Sequence, residues 1–375
     1  MVIRHPRPLR VTVLFNLKKN APHDGPLPPD AWADLDSEAT VEAIAAALRS
    51  AGHQVSLLEG NPDAFEVLRR DPPDIAFNIC EGHRGDAREA QIPAILEMLG
   101  IPYTGSRVLT QALSLDKAMC KRLFRYHGLP TPPFQVFYRA DEPLTPDLEF
   151  PLFVKPGWEG TGMGVTSRSI VHDEHALRRQ VEYILDTYRQ GALVERFIEG
   201  REFTVGVLGN EDPFVFPPME VDLSECPPEE AGLYTARVKS ELATAPRYLV
   251  PAPLPTALSE TLQRLALGAC QAIGVLDVAR VDFRVDREGR PWILEINALP
   301  GLNPELSDLC IYAGLLGIPY EWLINRILDL ACARYGLPTS EAFSQPIPYN
   351  PPQPGEMRIA RVGEPIRSVQ MAVVG

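Results

Sequence analysis

The sequence has no continuous apolar run long enough to span a bilayer, and its first residues, though basic in places, lack the apolar core of a secretory leader. A membrane location is therefore not expected, and the reading is cytoplasmic. Basic charge is scarce: 36 Lys and Arg face 49 Asp and Glu, a net charge of −13. That balance argues against a nucleic-acid surface while leaving room for a local basic patch around nucleotide phosphates. Cysteine is sparse and scattered. Cys80, Cys120, Cys226, Cys270, Cys310 and Cys332 form no CxxC pair and show no zinc-like or disulfide-like spacing, so they read as core thiols in a reducing compartment. No Gly-Lys-Ser/Thr follows the one glycine-rich loop, which excludes a Walker A motif, and no internal repeat is present.

What is there is ordinary globular material, 45% hydrophobic and 23% charged, enough to bury real cores. A chain of 375 residues exceeds the size at which one core usually stops growing, so two or three domains are expected. Val11 to Leu17, Gln54 to Leu58 and Asp74 to Ile79 have the apolar patterning of strands, and Ser37 to Ala51 that of a helix, which gives a parallel α/β opening. A helix is predicted over Arg88 to Leu99, ended by Gly100, and Ile101 to Ser106 reads as strand and turn. The first boundary falls near Leu113. Next come a helix carrying Lys117 and Lys121, strands at Leu152 to Lys155 and Gly164 to Ser167 around the glycine-rich loop, helix His175 to Tyr188 and strand Ala192 to Glu195. A third region mixes strands with helices at Leu258 to Ile273 and Tyr320 to Tyr335. The remainder, rich in proline from Pro346 to Pro354, reads as an extended tail.

Arg280 to Asn297 folds on paper as a hairpin with Glu288 and Gly289 as a two-residue turn. Stepping outward, Val285 faces Trp292, Phe283 faces Leu294, Asp282 faces Glu295 and Arg280 faces Asn297. Val281, Phe283, Val285, Trp292, Leu294 and Ile296 then form a buried apolar face. Arg280, Asp282, Glu295 and Asn297 gather on the other, where two carboxylates and a carboxamide offer the hard oxygen donors that Mg²⁺ prefers. A solvated strand face with a cross-strand ion pair is the alternative.

Lys155 closes an apolar strand and leads into Pro156 to Gly164, a loop whose glycines, Gly160 and Gly162 among them, let backbone N–H groups approach phosphate oxygens. Glu195, Phe197, Ile198 and Glu202 could supply an adenine hydrogen bond, an adenine wall and a ribose contact in one short stretch, or form no more than an exposed helix or strand end.

Taken together, these segments resemble the ATP-grasp superfamily, and within it the D-alanine–D-alanine ligases. The motifs are Ile101-Pro102-Tyr103-Thr104-Gly105-Ser106 with Asp116-Lys117, Phe153-Val154-Lys155-Pro156, Gly200-Arg201-Glu202-Phe203-Thr204-Val205, and Arg280-Val281-Asp282 with Glu295-Ile296-Asn297. The resemblance implies an α/β fold, α+β in parts, with an N-terminal parallel α/β domain (1–113) followed by two ATP-clasping α+β domains (114–195 and 196–338) and the tail (339–375). It implies ATP bound by Lys117, Lys155, Glu159, Gly160, Gly162, Glu195, Phe197, Ile198, Glu202, Lys239 and Leu294. Asp282, Glu295 and Asn297 would hold two Mg²⁺ ions, or Mn²⁺. The implied chemistry activates a small-molecule carboxylate as an acylphosphate that an amine then attacks, with Arg280 and the N–H of Gly301 on the oxyanion and Thr161 in the catalytic loop. Dimerisation through the N-terminal region is also implied.

Departures fall in the amino-acid subsites. The family's His-Gly is here Glu81-Gly82, a carboxylate able to attract an ammonium group, or else a cap on the helix after Arg88. Its lid tyrosine is Ser240. The serine that holds the second substrate's carboxylate falls at Leu306 or, with a shift of one, Ser307. The N-terminal glutamate that orients the first amine has no clear match, with Asp34, Asp36 and Glu38 as candidates. A carboxylate–amine ligase joining amino acids, or an amino acid and a small amine, is the leading expectation. A D-alanine–D-alanine ligase of cell-wall synthesis and a non-catalytic ATP sensor are the alternatives.

Overall fold

A computed structural model describes residues 5–23, 25–230, 232–353 and 355–370. The chain begins with β1 (Arg10–Phe15), α1 (Glu38–Ser50), β2 (Gln54–Glu59), α2 (Ala64–Arg70), β3 (Ile75–Asn78) and α3 (Gln91–Leu99). The three strands form a parallel sheet in the order β2-β1-β3, as the alternation of strand and helix dictates. Ser37 caps α1 by accepting from Thr40 N, and Gly100 closes α3 in the left-handed region with φ +67°, as expected for a C-terminal glycine. The expected helix from Arg88 opens with a 3₁₀ turn, Arg88–Ala90, and Ile101 to Ser106 makes only a single bridge, Tyr103 to Ala76. Leu113 lies inside α4 (Val108–Leu115), which runs directly into α5 (Lys117–Tyr126).

A second sheet joins β4 (Phe134–Phe137), β5 (Leu152–Pro156), β6 (Ile170–Val171) and β7 (Ala192–Arg196) in the order β4-β7-β5-β6, with α6 (Glu174–Tyr188) packed on it. The strand expected at Gly164 to Ser167 does not form. Positive φ at Gly162 and Gly164 carries the chain into a 3₁₀ turn closed by a Thr166–Ser169 capping box, and the strand starts only at Ile170.

The third sheet contains β8 (Gly200–Leu208), β9 (Phe214–Val215), β10 (Met219–Asp222), β11 (Arg247–Val250), β12 (Val278–Asp286) and β13 (Pro291–Asn297). Helices α7 (Ala236–Ser240), α8 (Thr256–Ile273), α9 (Asp308–Leu315) and α10 (Tyr320–Arg334) complete this part of the chain. The segment read as an extended tail instead returns to the sheet as β14 (Glu356–Ala360), paired with β11, and β15 (Arg367–Gln370), paired with β14; Pro354 lies outside the described residues. An apolar core runs from β1 and α1 through α9 and α10, and Asn325 of α10 donates to Ala47 O of α1 at 2.9 Å. The N-terminal sheet is thereby fixed against the C-terminal helices.

The β12–β13 hairpin keeps its expected register near the site, Arg280 to Asn297 and Asp282 to Glu295, and loses it toward the turn. A β-bulge between Asp282 and Phe283 pairs Phe283 with Ile293 and Val285 with Pro291. The turn is a three-residue loop, with Gly289 at φ +79° and Asp286 N donating to Arg290 O at 3.0 Å, a common companion of such a loop. The bulge also changes the buried face. Ile293 enters the core with Val281, Phe283, Val285 and Ile296, while Trp292 and Leu294 stay partly exposed.

Candidate active site

Two cavities meet between the second and third sheets. The first, about 940 Å³ including its open mouth, is lined by Lys155, Glu195, Phe197, Ile198, Glu202, Leu294 and Asp282 among others. The second, about 1580 Å³, is lined by Glu81, Thr161, Ser240, Arg280, Asn297, Gly301 and Ser307 among others. Lys117, Glu159, Tyr234, Lys239, Glu295 and Asp308 line both, so the two open into each other. Of the residues expected to hold ATP, all reach the first cavity except Gly160, which lines the second. Every residue expected to meet substrate or oxyanion reaches the second except Glu38, one of the three candidates for the N-terminal acid.

β5 and β7 pair side by side, which places Lys155 and Glu195 at the closed end of the first cavity. Glu195 lies between two buried lysines, 2.8 Å from Lys155 Nζ and 2.7 Å from Lys121 Nζ, and Lys121 also donates to Thr131 Oγ1 at 2.8 Å. Burial pushes the Glu195 carboxyl upward, but Lys121 and Lys155 outweigh it and hold the group below its ordinary value. Burial lowers Lys121 to about 8 against the pull of Glu195. The Phe197 ring stacks on Phe153 with centroids 6.1 Å apart, an apolar wall beside a fixed acceptor. Glu202 is paired with Arg284 at 3.0 Å. The bulge turns Leu294 out of the core and into this cavity.

The glycine-rich loop is tied down at several points. Lys117 Nζ donates to Glu159 O, Gly164 N donates to Asp30 Oδ2 at 2.7 Å, and Arg88 donates to Trp158 O at 2.9 Å. Thr161 sits at φ +52°. A Cβ on Gly162 would come within 3.1 Å of Tyr234 O, so glycine there lets this loop approach the closing segment that joins β10 to β11. That segment carries Tyr234, Lys239 and Ser240. The Lys239 ammonium lies 4.3 Å from the centre of the Tyr234 ring.

Asp282 and Glu295 face each other across the hairpin. Arg280 grips Asp282 with Nε and Nη2, both at 3.0 Å, and Thr204 Oγ1 donates to it at 2.7 Å. Glu295 lies 3.3 Å from Lys117. Burial pushes the Glu295 carboxyl up, but Lys117, Lys155, Lys239 and Arg280 together hold it well below the usual carboxylate range. Among the described residues no three His, Cys, Asp or Glu side chains gather as a preformed metal cage. The oxygens of Asp282, Glu295 and the Asn297 carboxamide suit Mg²⁺, which keeps much of its shell for water and phosphate oxygens.

The wall of the second cavity contributed by the N-terminal part of the chain is acidic. Glu81 does not cap the helix after Arg88, where Ala87 is the cap residue. Its carboxyl instead hydrogen-bonds that of Glu89; burial raises both, with repulsion from Glu89 and Asp34 added at Glu81 and from Asp34 at Glu89. Of the three candidates for the missing N-terminal acid, Asp34 is bound to Arg88 at 2.8 Å and Glu38 pairs with Lys19 outside the cavity. Asp36 lines the cavity, with its carboxyl raised to about 7 by burial and by Asp34.

Sequence reasoning missed Asp308, Tyr234, Lys121, Arg88 and Glu89. Asp308 stands one position beyond Ser307, on the first turn of α9, and accepts from Arg280 Nη1 and from Tyr234 OH, each at 2.6 Å.

The fold and this paired site define an ATP-grasp ligase. The family profile described as D-ala D-ala ligase C-terminus matches residues 123–329. A D-alanine–D-alanine ligase of Pelotomaculum thermopropionicum is 33% identical over 308 residues, 80% of this chain and 92% of the relative. The protein y4sG of Sinorhizobium fredii is 39% identical over 318 residues, 83% of this chain and 91% of the relative. A solved D-alanine–D-alanine ligase of Bacillus anthracis complexed with ATP shares the fold, with a TM-score of 0.68 at 24% identity over 88% of this chain and 99% of that one. The chain belongs to the D-alanine–D-alanine ligase family of ATP-dependent ligases that form a C–N bond.

Proposed function

We propose that the two cavities hold the two halves of one reaction, ATP in the first and the carboxylate and amine in the second. The observation that carries this is their junction, where Lys117, Lys239 and the ionised Glu295 line both spaces. Adenine would lie against Phe197 and Ile198 with Glu195 as acceptor, and Lys117, Lys155 and the Glu159 to Gly162 loop would meet the phosphates. Asp282, Glu295 and Asn297 would hold Mg²⁺, which when bound neutralises charge on the transferring phosphoryl group. In the first step a substrate carboxylate oxygen attacks the γ-phosphorus, and the bond to the β-phosphate oxygen breaks with its electron pair leaving on ADP. In the second the amine nitrogen attacks the acyl carbon, and the C–O bond breaks with its pair leaving on phosphate. The ammonium loses two protons over the cycle, one to phosphate and one to water. Arg280 and the N–H of Gly301 border the space where the oxyanion forms, and such donors are worth about 3–4 kcal/mol each.

Hydroxylamine trapping tests the reading. With MgATP and a panel of single amino acids, hydroxamate and phosphate should appear together for the activated carboxylate. ATP binding without hydroxamate formation from any carboxylate would leave the sensor reading. Activity confined to D-alanine would make the chain a D-alanine–D-alanine ligase like its named relatives. Six unpaired cysteines, all but Cys226 buried, support a reducing, cytoplasmic setting.

A further inference from the structure

Arg280 is the guanidinium that faces the substrate cavity, and the chain supplies it with two carboxylates of its own. Asp282 takes Nε and Nη2, and Asp308 takes Nη1 at 2.6 Å. Asp308 is not a loose surface acid. It is 7% exposed, and its other oxygen accepts from Tyr234 OH at 2.6 Å, which is itself 2.7 Å from Tyr248 OH. Burial beside Asp308 keeps the Tyr234 hydroxyl protonated, so this hydrogen bond does not weaken near neutral pH. A carboxylate is therefore built in beside Arg280, where the two cavities meet.

Other groups that might hold a free substrate carboxylate are engaged, neutral or shared with the first cavity. Lys117 is held by Glu295 and Glu159 O. Lys239 lies over Tyr234 at the junction with the nucleotide cavity. Lys18 is exposed at the far rim, next to Asp36, whose carbonyl accepts from Lys18 N at 3.0 Å. Ser240 donates its hydroxyl to Ala236 O at 2.8 Å. Ser307 accepts from Asn303 N at 2.9 Å, so what it can offer is a neutral O–H, and the Leu306 side chain, 52% exposed, offers no polar atom. A second negative charge entering here would meet Asp308 with Arg280 already shared between two carboxylates, and a buried charge without a partner of its own is disfavoured.

We propose that the amine substrate carries no carboxylate next to its nucleophilic nitrogen, and that Asp308 sets this preference by occupying Arg280. The inference rests on the ligase reading above. The acceptor class is a primary amine, such as the decarboxylated counterpart of an amino acid, and Asp308 is a specificity-determining residue.

The test uses the full-length protein with MgATP and the carboxylate identified by hydroxamate formation. Acceptors are compared in matched pairs that differ only in the α-carboxylate: alanine with ethylamine, lysine with 1,5-diaminopentane, histidine with histamine. The expected result is at least a tenfold higher kcat/KM for the member without the carboxylate in the preferred pair. Asp308→Asn should shrink that ratio by tenfold or more, whatever its effect on overall rate, because both members are measured on one variant. Equal use of both members, or preference for the amino acid, would overturn the proposal even if the variant failed to fold. So would a ratio that Asp308→Asn leaves unchanged. Failure to form hydroxamate from any carboxylate is a separate outcome, which removes the ligase reading and the inference with it.

Discussion

The first cavity, proposed for ATP, and the second, proposed for the substrates, share a wall but treat carboxylates in opposite ways. In the first, Glu195 is buried and Glu295 largely covered, yet both are held ionised, because Lys121, Lys155 and Lys117 stand within ion-pair distance. In the second, Asp36, Glu81 and Glu89 are pushed upward, because burial and neighbouring acids outweigh the cation at hand. That cation, Arg88, is already bound to Asp34 and Glu159. That balance in the first cavity fits the polyphosphate proposed for it, whereas the second has acid to spare and suits a substrate that brings positive charge.

The comparison breaks most visibly if the shared wall is removed. Asp282→Asn or Glu295→Gln should lower turnover by roughly a thousandfold or more with every substrate pair. Both should retain a cooperative melt, since Val281, Phe283, Val285, Ile293 and Ile296 pack the hairpin from its other face. Loss of that melt in both would show that the carboxylates hold the fold instead of the reaction. On the nucleotide side alone, Lys121→Met leaves Glu195 with one lysine. We expect a loss of ~2–3 kcal/mol of stability and an ATP KM raised about tenfold, with the ratio between amine substrates unchanged. A changed ratio would mean that the two cavities are not separable.

On the substrate side the handle is pH. Asp36 holds its proton up to about 7 in the folded chain but loses it near 3.9 when unfolded. The folded state binds the extra proton between those values, so the stability this confers is complete below about 4 and is lost as pH rises through 7. Calorimetry across pH 4 to 8 should therefore show a downward trend that Asp36→Asn flattens by ~1–2 kcal/mol, the partial exposure of the group keeping the effect below its ceiling. An identical trend in the variant would place the proton elsewhere, with Glu81 and Glu89 next in line.

Period-two patterning puts Asp282, Glu295 and Asn297 on one face of the hairpin, and the structure keeps that pairing. Lys155 and Glu195 stand near strand ends, and it is the family resemblance that joins them to the same site. The turn of the hairpin was not legible, since nothing local marks the bulge after Asp282, and one extra residue moved Leu294 from core to cavity. Nothing in the sequence marks Lys121 beyond its place on a helix; its pairing with Glu195, across the gap between α5 and β7, makes it interior. Asp308 lies 28 residues from Arg280, and no spacing rule links them. The proline content of the tail concealed β14, which finds its partner in β11, more than a hundred residues earlier in the chain.

That returning strand gives the smallest test, on the segment both cavities share. Arg361, just past β14, donates to Glu225 Oε2 at 2.6 Å and to Thr244 O at 3.5 Å. Those two residues stand near the start and the end of the closing segment that carries Tyr234 and Lys239, so one guanidinium ties its two ends together. The ion pair is partly exposed and should contribute little to stability. Its effect belongs instead to how often the segment is closed, and a closed fraction enters the apparent affinity of every ligand that needs it. Arg361→Ala should therefore raise the KM for ATP and for the amine by the same factor, about two- to threefold, and Arg361→Lys should restore part of both. If only one KM moved, the segment would serve a single cavity, and the junction through Lys239 would lose its role in joining them.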